Sequence, residues 1–386
     1  MRTARLLIVM LASLTLAACG SLPRNAFTAR EITGAAPQGM AEFRFDSSDA
    51  AAGVRFVEPT RTRVGRQKTF DVLAISGGGA NGAYGVGVIV GWTKAGDRPE
   101  FDIVSGVSTG ALTAPFAFLG PDWDERLTLA YTGPEAGMIL KRRGLDILFR
   151  PGFYDTDALR ALVARYVDPQ LLHAVAVEHA KGRRLFIATT NLDTEQTVIW
   201  DMGAIASRGD AASLKLFQNV LVASASIPGI FPPTLIEVEG KGQQFSEMHV
   251  DGGVTTPFFV APEALLLWTA PDQSQVQPGK IRVIVNGKIG GDFSFTPGGT
   301  LPILGRSWAT MSKATMRTHL TASAAFARRN GGSLSFAAIP DDAKVDTSGL
   351  NFKAAKREAL FKLGYDSALS GKAWQAPAAP EATKGP

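Results

Sequence analysis

The chain has 386 residues, of which 45% are hydrophobic and 19% are charged, and its formal net charge is +5. This composition is typical of a globular protein with a sizeable core and excludes a disordered chain. The densest basic groups, at residues 61–68 and 141–143, are short and lack interleaved aromatic side chains. They are better explained as solvated surface charge than as a nucleic-acid surface.

The N-terminal residues have the layout of a secretory signal peptide. Two arginines precede an apolar run at residues 6–16, which is too short to span a bilayer, and small residues follow. The string Leu-Ala-Ala-Cys at residues 16–19 resembles the bacterial lipobox, which implies cleavage before Cys19 and lipidation of its thiol. By the same resemblance, Gly20 and Ser21 imply sorting to the outer membrane of the cell envelope. The alternative is an unmodified thiol, and Cys19 is the only cysteine available for a disulfide.

Composition divides the chain into four segments. A signal peptide at 1–18 precedes residues 19–68, which are rich in Ala, Gly, Pro and Thr and are interpreted as a tether and N-terminal arm. One folded domain is predicted for 69–374, because regular alternation of apolar segments begins there. An Ala/Pro-rich tail follows at 375–386.

The predicted elements of the folded domain alternate between strands and helices. Strands are predicted at 70–75, 101–104, 184–189, 197–200, 282–286 and 333–339. Helices are predicted at 83–94, 111–119, 155–166, 213–225, 307–329 and 361–374. This alternation predicts a layered α/β fold with a central, largely parallel sheet flanked by helices.

Ser108 lies in a G-x-S-x-G motif at residues 106–110, between a predicted strand and a predicted helix. A serine on such a turn projects its hydroxyl clear of the sheet, and the flanking glycines allow a tight bend and close approach of a substrate. The motif therefore predicts a nucleophile. A plain strand-to-helix turn is the alternative, because Gly-rich chains match this pattern by chance.

The glycine loop at residues 77–82 follows the first strand of the domain and precedes a helix. Successive backbone amides in such a loop can stabilise an oxyanion without any side chain. Gly77, Gly79 and Gly82 also satisfy the G-x-G-x-x-G pattern of a dinucleotide site. That hypothesis needs an acidic residue at the end of a second strand, and neither Asp97 nor Asp102 has that position. It also gives Ser108 no role.

Asp251 is the candidate general base. It is followed by Gly252 and Gly253 at the end of a predicted strand, which leaves a carboxylate at the edge of the sheet. A carboxylate can take a serine proton only at close range in a partly dry site that raises its pKa. Two alternatives remain: a structural Asp-Gly turn, and a triad using His249, which shares a strand face with Asp251. The other three histidines have no motif nearby: His173, His179 and His319.

Four segments in this order together resemble the patatin-like phospholipases: 77–82, 106–110, 223–232 with its Ser-Ile-Pro and Phe-Pro steps, and 251–253. The resemblance implies a patatin-like α/β fold and a Ser-Asp dyad in which Ser108 is the nucleophile and Asp251 the base. It also implies that Gly77, Gly78 and Gly79 form the oxyanion hole, and that no metal or cofactor takes part. One departure is Asn81, where the family commonly has Arg or Lys.

The sequence thus predicts a lipid-anchored serine hydrolase that cleaves fatty-acyl esters of phospholipids or lysophospholipids through an acyl-enzyme. Its expected partners are an acyl lipid and a membrane surface reached through Cys19. Two other functions remain open. One is a catalytically silent envelope lipoprotein that binds lipid or a partner, and the other is a general esterase or thioesterase acting on small soluble esters.

Overall fold

The computed structural model describes residues 22, 24–65, 68–140, 152–267, 278–293 and 295–377. The strands in chain order are β1 (Arg44–Asp46), β2 (Phe70–Ile75), β3 (Ile103–Val107), β4 (Arg184–Asn191), β5 (Gln196–Asp201), β6 (Thr234–Gly240), β7 (Gln243–Asp251), β8 (Gly279–Val285) and β9 (Ser333–Ala338). They form one nine-stranded sheet within these residues.

The helices are α1 (Ala29–Ile32), α2 (Ala50–Val64), α3 (Gly82–Ala95), α4 (Thr109–Leu119), α5 (Asp124–Thr132), α6 (Asp157–Tyr166), α7 (Pro169–Ala180), α8 (Met202–Ala206), α9 (Ala211–Ser224), α10 (Glu263–Leu267), α11 (Thr300–Arg329) and α12 (Ala354–Leu369). Among the residues described, none of these helices is both long and apolar enough to cross a membrane.

The sheet is parallel at its centre. The strand order is β1-β5-β4-β3-β2-β8-β9, and every neighbouring pair from β4 to β9 is parallel. β4, β3 and β2 are buried almost throughout, as strands covered on both faces require. The predicted α/β fold with a largely parallel central sheet flanked by helices is therefore confirmed.

Helices cover both faces of the sheet and form two hydrophobic clusters. On one face α3, α4, α9 and α12 pack around large side chains that include Ile89, Phe118, Phe217 and Leu360. On the other face α2, α10 and the second half of α11 pack against β2, β3 and β8. This three-layer arrangement leaves the carboxyl ends of the parallel strands as an edge at which loops can converge.

An antiparallel strand brings a distant segment to this edge. β7 pairs with the last residues of β4, and Asp251 lies opposite Thr189. The register holds Gly252 so close to β4 that an added Cβ would lie 2.5 Å from the carbonyl oxygen of Ala188. The carboxyl end of β7 therefore meets the carboxyl ends of β3 and β4.

Residues 24–65 belong to the folded body, which corrects their interpretation as a tether. β1 pairs with β5 at the edge of the sheet, and Arg24 makes two hydrogen bonds to the carboxylate of Asp193, at 2.7 and 2.8 Å. The Asp49 side chain caps α2, which buries Ala52 on the sheet. At the other end, Gln375 bridges to Phe336, so the fold continues just beyond 374. The predicted signal peptide, Cys19 and residues 378–386 lie outside the described residues.

Candidate active site

Ser108 occupies the single residue between β3 and α4, as the G-x-S-x-G motif predicts. Its backbone has φ 56° and ψ −125°, in the left-handed half of conformational space that a side chain rarely adopts. Such strain persists only where the surrounding structure holds it, and it is typical of a nucleophile raised on a sharp turn. The side chain is buried, at the start of a helix that directs its positive end toward the site.

The two motif glycines are required by close approach of the backbone. A Cβ on Gly106 would lie 2.3 Å from the carbonyl oxygen of Gly110, and one on Gly110 would lie 2.2 Å from that of Ile75. Both distances are far below a van der Waals contact, and the obstacles are main-chain atoms that cannot swing away. The strand and the helix can therefore meet at this angle only if both positions are glycine.

Asp251 stands beside Ser108. The Gly253 amide donates to Oδ1 of Asp251 at 2.7 Å, and the Ser108 hydroxyl lies near enough to the carboxyl group to lower its pKa. Burial outweighs both contacts and raises the pKa of Asp251 to about 7, because the charged form is poorly solvated. A carboxylate with such a pKa is matched to accepting and returning a proton near neutral pH.

A short segment at the end of α9 fixes both residues. The amide of Ser108 donates to Oγ of Ser224 at 3.0 Å, and Ser224 donates in turn to the carbonyl of Ala188 at 2.7 Å. Two residues later, the carbonyl of Ser226 accepts the amide of Asp251 at 3.0 Å. The sequence marked this Ser-Ala-Ser segment as part of a motif but gave it no role in the site, because its partners are distant in the chain.

The glycine loop approaches Ser108 from the end of β2. A Cβ on Gly77 would lie 3.0 Å from Cβ of Ser108, so the two backbones are in direct contact. The Gly77 amide donates to the carbonyl of Pro257 at 3.3 Å. Within the described residues the amides of Gly78 and Gly79 have no protein acceptor. Of the three predicted oxyanion donors, Gly78 and Gly79 therefore have N–H groups to offer.

An apolar pocket opens at Ser108. Its lining includes Gly79, Thr109 and a large set of hydrophobic side chains from α4, α6, α9, the segment after α9 and the 350–352 segment, among them Leu112, Phe116, Leu159, Val163, Leu221, Phe231, Leu350 and Phe352. Arg357 is the one charged side chain among the described lining residues. A pocket of this composition suits a hydrocarbon chain.

Asn81 does not point a polar group into this pocket. It is buried, and its Nδ2 donates to the carbonyl of Thr347 at 2.8 Å. The cation of the pocket comes from α12, where the Arg357 guanidinium donates to the carbonyls of Tyr131 at 2.7 Å and Gly133 at 3.2 Å. The sequence could not assign Arg357 to the site, because it lies about a hundred residues after Asp251 with no motif around it.

His249 is turned to other partners. Its Nδ1 lies 2.9 Å from Oγ1 of Thr189 and its Nε2 lies 3.0 Å from a carboxylate oxygen of Glu247. Both ring nitrogens are thus occupied by groups other than Ser108 and Asp251, and a triad through His249 is not formed. His319 packs edge-on against Phe258, and His179 lies 3.5 Å from Asp201.

Asp102, which the dinucleotide hypothesis would use, does not lie at this edge. Asp102 precedes β3, at the opposite end of the strand from Ser108. It accepts hydrogen bonds from the Arg63 side chain and from the amide of Asp71, which tie it to neighbouring elements. Asp102 therefore gives no support to a ribose site, whereas the glycine loop lies against Ser108.

The site thus combines a strained serine at a strand-to-helix turn with a buried carboxyl beside it. Loop amides without a protein acceptor in the described residues lie at the same place, next to an apolar pocket. Residues 73–262 match the family model of the patatin-like phospholipases, and this range contains Ser108, Asp251 and the glycine loop. The chain therefore contains a patatin-like phospholipase domain, from a family of lipid acyl hydrolases.

A comparison with solved structures gives the crystal structure of VipD from Legionella pneumophila, at 15% sequence identity and a TM-score of 0.42. The alignment covers 80% of this chain and 68% of VipD. A comparison with curated proteins gives no match.

Proposed function

We propose that the protein is a serine lipid acyl hydrolase of the phospholipase A or lysophospholipase type, which works through a Ser108–Asp251 dyad. The observation that carries the proposal is the placement of Ser108 beside the buried Asp251 carboxyl, at the mouth of an apolar pocket. A nucleophilic serine usually needs an adjacent base such as an imidazole. In this proposal the base is the carboxylate of Asp251, whose pKa is raised by burial.

The reaction has two halves. Oγ of Ser108 attacks the acyl carbonyl while Asp251 takes its proton, and the resulting oxyanion accepts hydrogen bonds from the amides of Gly78 and Gly79. Collapse of this intermediate breaks the ester bond, and Asp251 protonates the departing alcohol oxygen. Water then attacks the acyl-enzyme, Asp251 takes the proton of the water and returns it to Ser108, and a fatty acid leaves.

The pocket supports an acyl lipid over a small polar ester. The polar side chains among its described lining residues are Ser108, Thr109, Tyr131, Tyr166 and Arg357, and the rest of the lining is hydrocarbon. Binding therefore gains free energy from each methylene that enters, about 0.8 kcal/mol for a fully buried one. Arg357 has no carboxylate hydrogen-bonded to it in the described part of the chain, and its charge favours a substrate with an anionic group.

The protein is further proposed to act at the bacterial outer membrane, held there by lipid on Cys19. The support is the sequence at residues 1–21, with its signal-peptide layout and its resemblance to a lipobox. Metabolic labelling of the protein with a radioactive fatty acid tests this directly, and a Cys19→Ser variant that still incorporates label would contradict it.

The activity is tested by reaction with a fluorophosphonate probe and mass-spectrometric location of the adduct. Ser108 is expected to carry the adduct, and Ser108→Ala and Asp251→Asn are expected to abolish labelling and hydrolysis of lysophospholipid. Ser207→Ala, an exposed serine away from the site, is the matched control. A folded protein without any labelling would instead support the silent lipid-binding lipoprotein, and turnover of short soluble esters with none on lipid would support a general esterase.

A further inference from the structure

Asn286 is a buried amide side chain just after the carboxyl end of β8. β8 pairs with β2 in parallel, and Ile284 lies opposite Ile75, so Asn286 lies beside the first residues of the glycine loop. It is 2% exposed, and it is not among the described residues that line the pocket at Ser108. Residue 286 also lies beyond the range 73–262 that matches the family model. A buried amide needs partners for its donor and its acceptor, and these partners indicate what it does.

The side chain of Asn286 joins the two ends of the glycine loop. Its Nδ2 donates to the carbonyl of Ser76 at 2.8 Å, and its Oδ1 accepts the amide of Gly85 at 3.0 Å. Ser76 is the residue before the loop, and Gly85 lies in the first turn of α3, just after it. The two side-chain atoms can have only this orientation, because a carbonyl only accepts and a backbone N–H only donates. One side chain therefore fixes the separation of the two elements that carry the loop.

The backbone of Asn286 reaches into the loop through the hydroxyl of Ser76. The Asn286 amide donates to Oγ of Ser76 at 2.9 Å, and this hydroxyl donates to the carbonyl of Gly77 at 2.8 Å. The carbonyl of Gly77 and the N–H of Gly78 belong to one planar trans peptide group, so they point in opposite directions. A bond that holds this carbonyl therefore also sets the direction of the Gly78 amide, which is a proposed oxyanion donor.

Asn286 is also in direct contact with Gly78. A Cβ on Gly78 would lie 2.3 Å from the carbonyl oxygen of Asn286 and 2.6 Å from its Cβ. Residues 77–79 are all glycine, which has no side chain to pack and loses more conformational freedom on folding than any other residue. Contacts from neighbouring elements must therefore hold this segment in place, and Asn286 supplies them from the end of β8.

We propose that Asn286 is a positioning residue for the oxyanion hole, which holds the glycine loop so that the Gly78 amide points at the substrate oxygen. An oxyanion donor lowers the barrier only if it is already aligned when the negative charge develops, and this alignment depends on the groups that hold the donor. The role requires no contact between Asn286 and the substrate. The inference rests on the proposed function, because attack by Ser108 on an acyl carbonyl is what creates the oxyanion.

The test compares the kinetics of the full chain with those of Asn286→Ala on a monomeric lysophospholipid. We expect kcat to fall about tenfold or more with KM nearly unchanged, since loss of a whole oxyanion donor typically costs about 10²–10³ in rate.

Two ketones with the same acyl chain separate alignment of the oxyanion hole from the shape of the pocket. Oγ of Ser108 adds to the carbonyl carbon of the trifluoromethyl ketone, Asp251 takes the serine proton, and a tetrahedral oxyanion forms. Its affinity should fall by about the same factor as kcat/KM. The methyl ketone occupies the pocket without forming this adduct, and its affinity should stay nearly unchanged.

The matched control is Asn330→Ala, which also removes a bond from an asparagine Nδ2 to a backbone carbonyl at 2.8 Å, but at the end of α11. It should keep the kcat and both ketone affinities of wild type. A second variant, Ser76→Ala, removes only the hydroxyl between Asn286 and Gly77. It should lower kcat and the affinity for the trifluoromethyl ketone in the same direction, and it decides the matter if Asn286→Ala does not fold.

A folded Asn286→Ala variant, or Ser76→Ala in its place, with the kcat and the trifluoromethyl ketone affinity of wild type would overturn the inference. So would an equal loss of affinity for both ketones, because the residue would then shape the pocket rather than the oxyanion hole. Either result, obtained beside an active wild type, leaves the proposed function in place. A wild type that neither hydrolyses lipid nor binds the trifluoromethyl ketone would refute the proposed function and the inference with it.

Discussion

The backbone amide of Ser108 donates to the hydroxyl of Ser224 at 3.0 Å, and this bond ties the catalytic turn to a buried segment more than a hundred residues away in the chain. The same segment holds Asp251 through the carbonyl of Ser226. The relative position of the proposed nucleophile and base is therefore set by three consecutive residues, 224–226, to which the proposal gives no chemical step.

We expect Ser224→Ala to lower kcat while leaving KM nearly unchanged, because the variant misplaces Ser108 without altering the pocket. It should also lower the free energy of unfolding by about 1–3 kcal/mol, since a buried amide loses its partner. Steady-state kinetics on a soluble ester and urea unfolding measure the two effects. Ser226→Ala is the control, because its hydroxyl contacts the carbonyl of Val222 and the hydroxyl of Thr234 rather than Ser108, and its carbonyl remains. Equal loss of kcat in both variants would refute a positioning role for Ser224.

The rate is expected to depend on the protonation of Asp251. Because the carboxyl must be ionised to accept the serine proton and its pKa is about 7, kcat/KM should rise with pH and level off above that value. A pH profile of the hydrolysis of a soluble ester, whose own ionisation does not change in this range, measures the midpoint. A profile that is already flat above pH 5 would show that Asp251 titrates in the ordinary carboxyl range and is not the base.

The free energy of unfolding should also depend on the ionisation of Asp251. It should fall as the pH rises, whereas the rate should increase. The pKa of Asp251 is about 7 in the folded protein and about 3.9 in an unfolded chain, so between these values the native state binds more protons. Its contribution to the free energy of unfolding is therefore largest below pH 4 and is lost as the pH rises through 7. In Asp251→Asn the free energy of unfolding should not fall with pH in this way, a difference on the order of a few kcal/mol.

We thus expect Asp251→Asn to be more stable than wild type at pH 8 and to lose most of that advantage at pH 5, while being inactive at both. Urea unfolding at the two pH values measures the difference. Asp122→Asn, at an exposed position, should show no such change. An Asn variant that is less stable than wild type at pH 8 would indicate that the buried carboxylate is better solvated than its contacts suggest.

Gly110→Ala is expected to destabilise the fold strongly. The new Cβ would stand 2.2 Å from the carbonyl of Ile75, so β2 and α4 would have to separate, at a cost of about 1–3 kcal/mol or more. Thermal unfolding measures this cost. Gly305→Ala, where an added Cβ meets nothing within 4 Å, is the control and should be neutral or slightly stabilising within its helix.

His249→Gln should keep the fluorophosphonate reaction of Ser108, since the imidazole bonds to Thr189 and Glu247 rather than to the dyad. Burial alone would raise the pKa of Glu247, but hydrogen bonds from His249 and Arg44 lower it to about 2. Losing one of these donors should reduce stability instead of catalysis. A variant that folds as wild type and no longer reacts with the probe would restore the triad hypothesis.

The features predicted correctly from the sequence are those whose physical cause is local. The turn at Ser108 follows from two glycines beside a strand, and the α/β alternation follows from the length and order of apolar segments. The place of β1 could not be found this way, because it is three residues long and its partner β5 lies some 150 residues later. The roles of Ser224 and Arg357, and the choice of Gly78 and Gly79 over Gly77, depend on contacts that only the assembled edge creates.

The ion pair between Arg24 and Asp193 also limits the distance between the folded domain and an anchored N-terminus. Asp193 lies in the turn between β4 and β5, at the edge of the sheet that carries Ser108. Cys19 precedes Arg24 by five positions, a stretch that reaches at most about 18 Å when fully extended. This segment is shorter than the thickness of the hydrocarbon core of a bilayer, about 30 Å. A lipid on Cys19 would therefore keep this edge of the sheet close to the membrane surface and restrict the rotation of the domain.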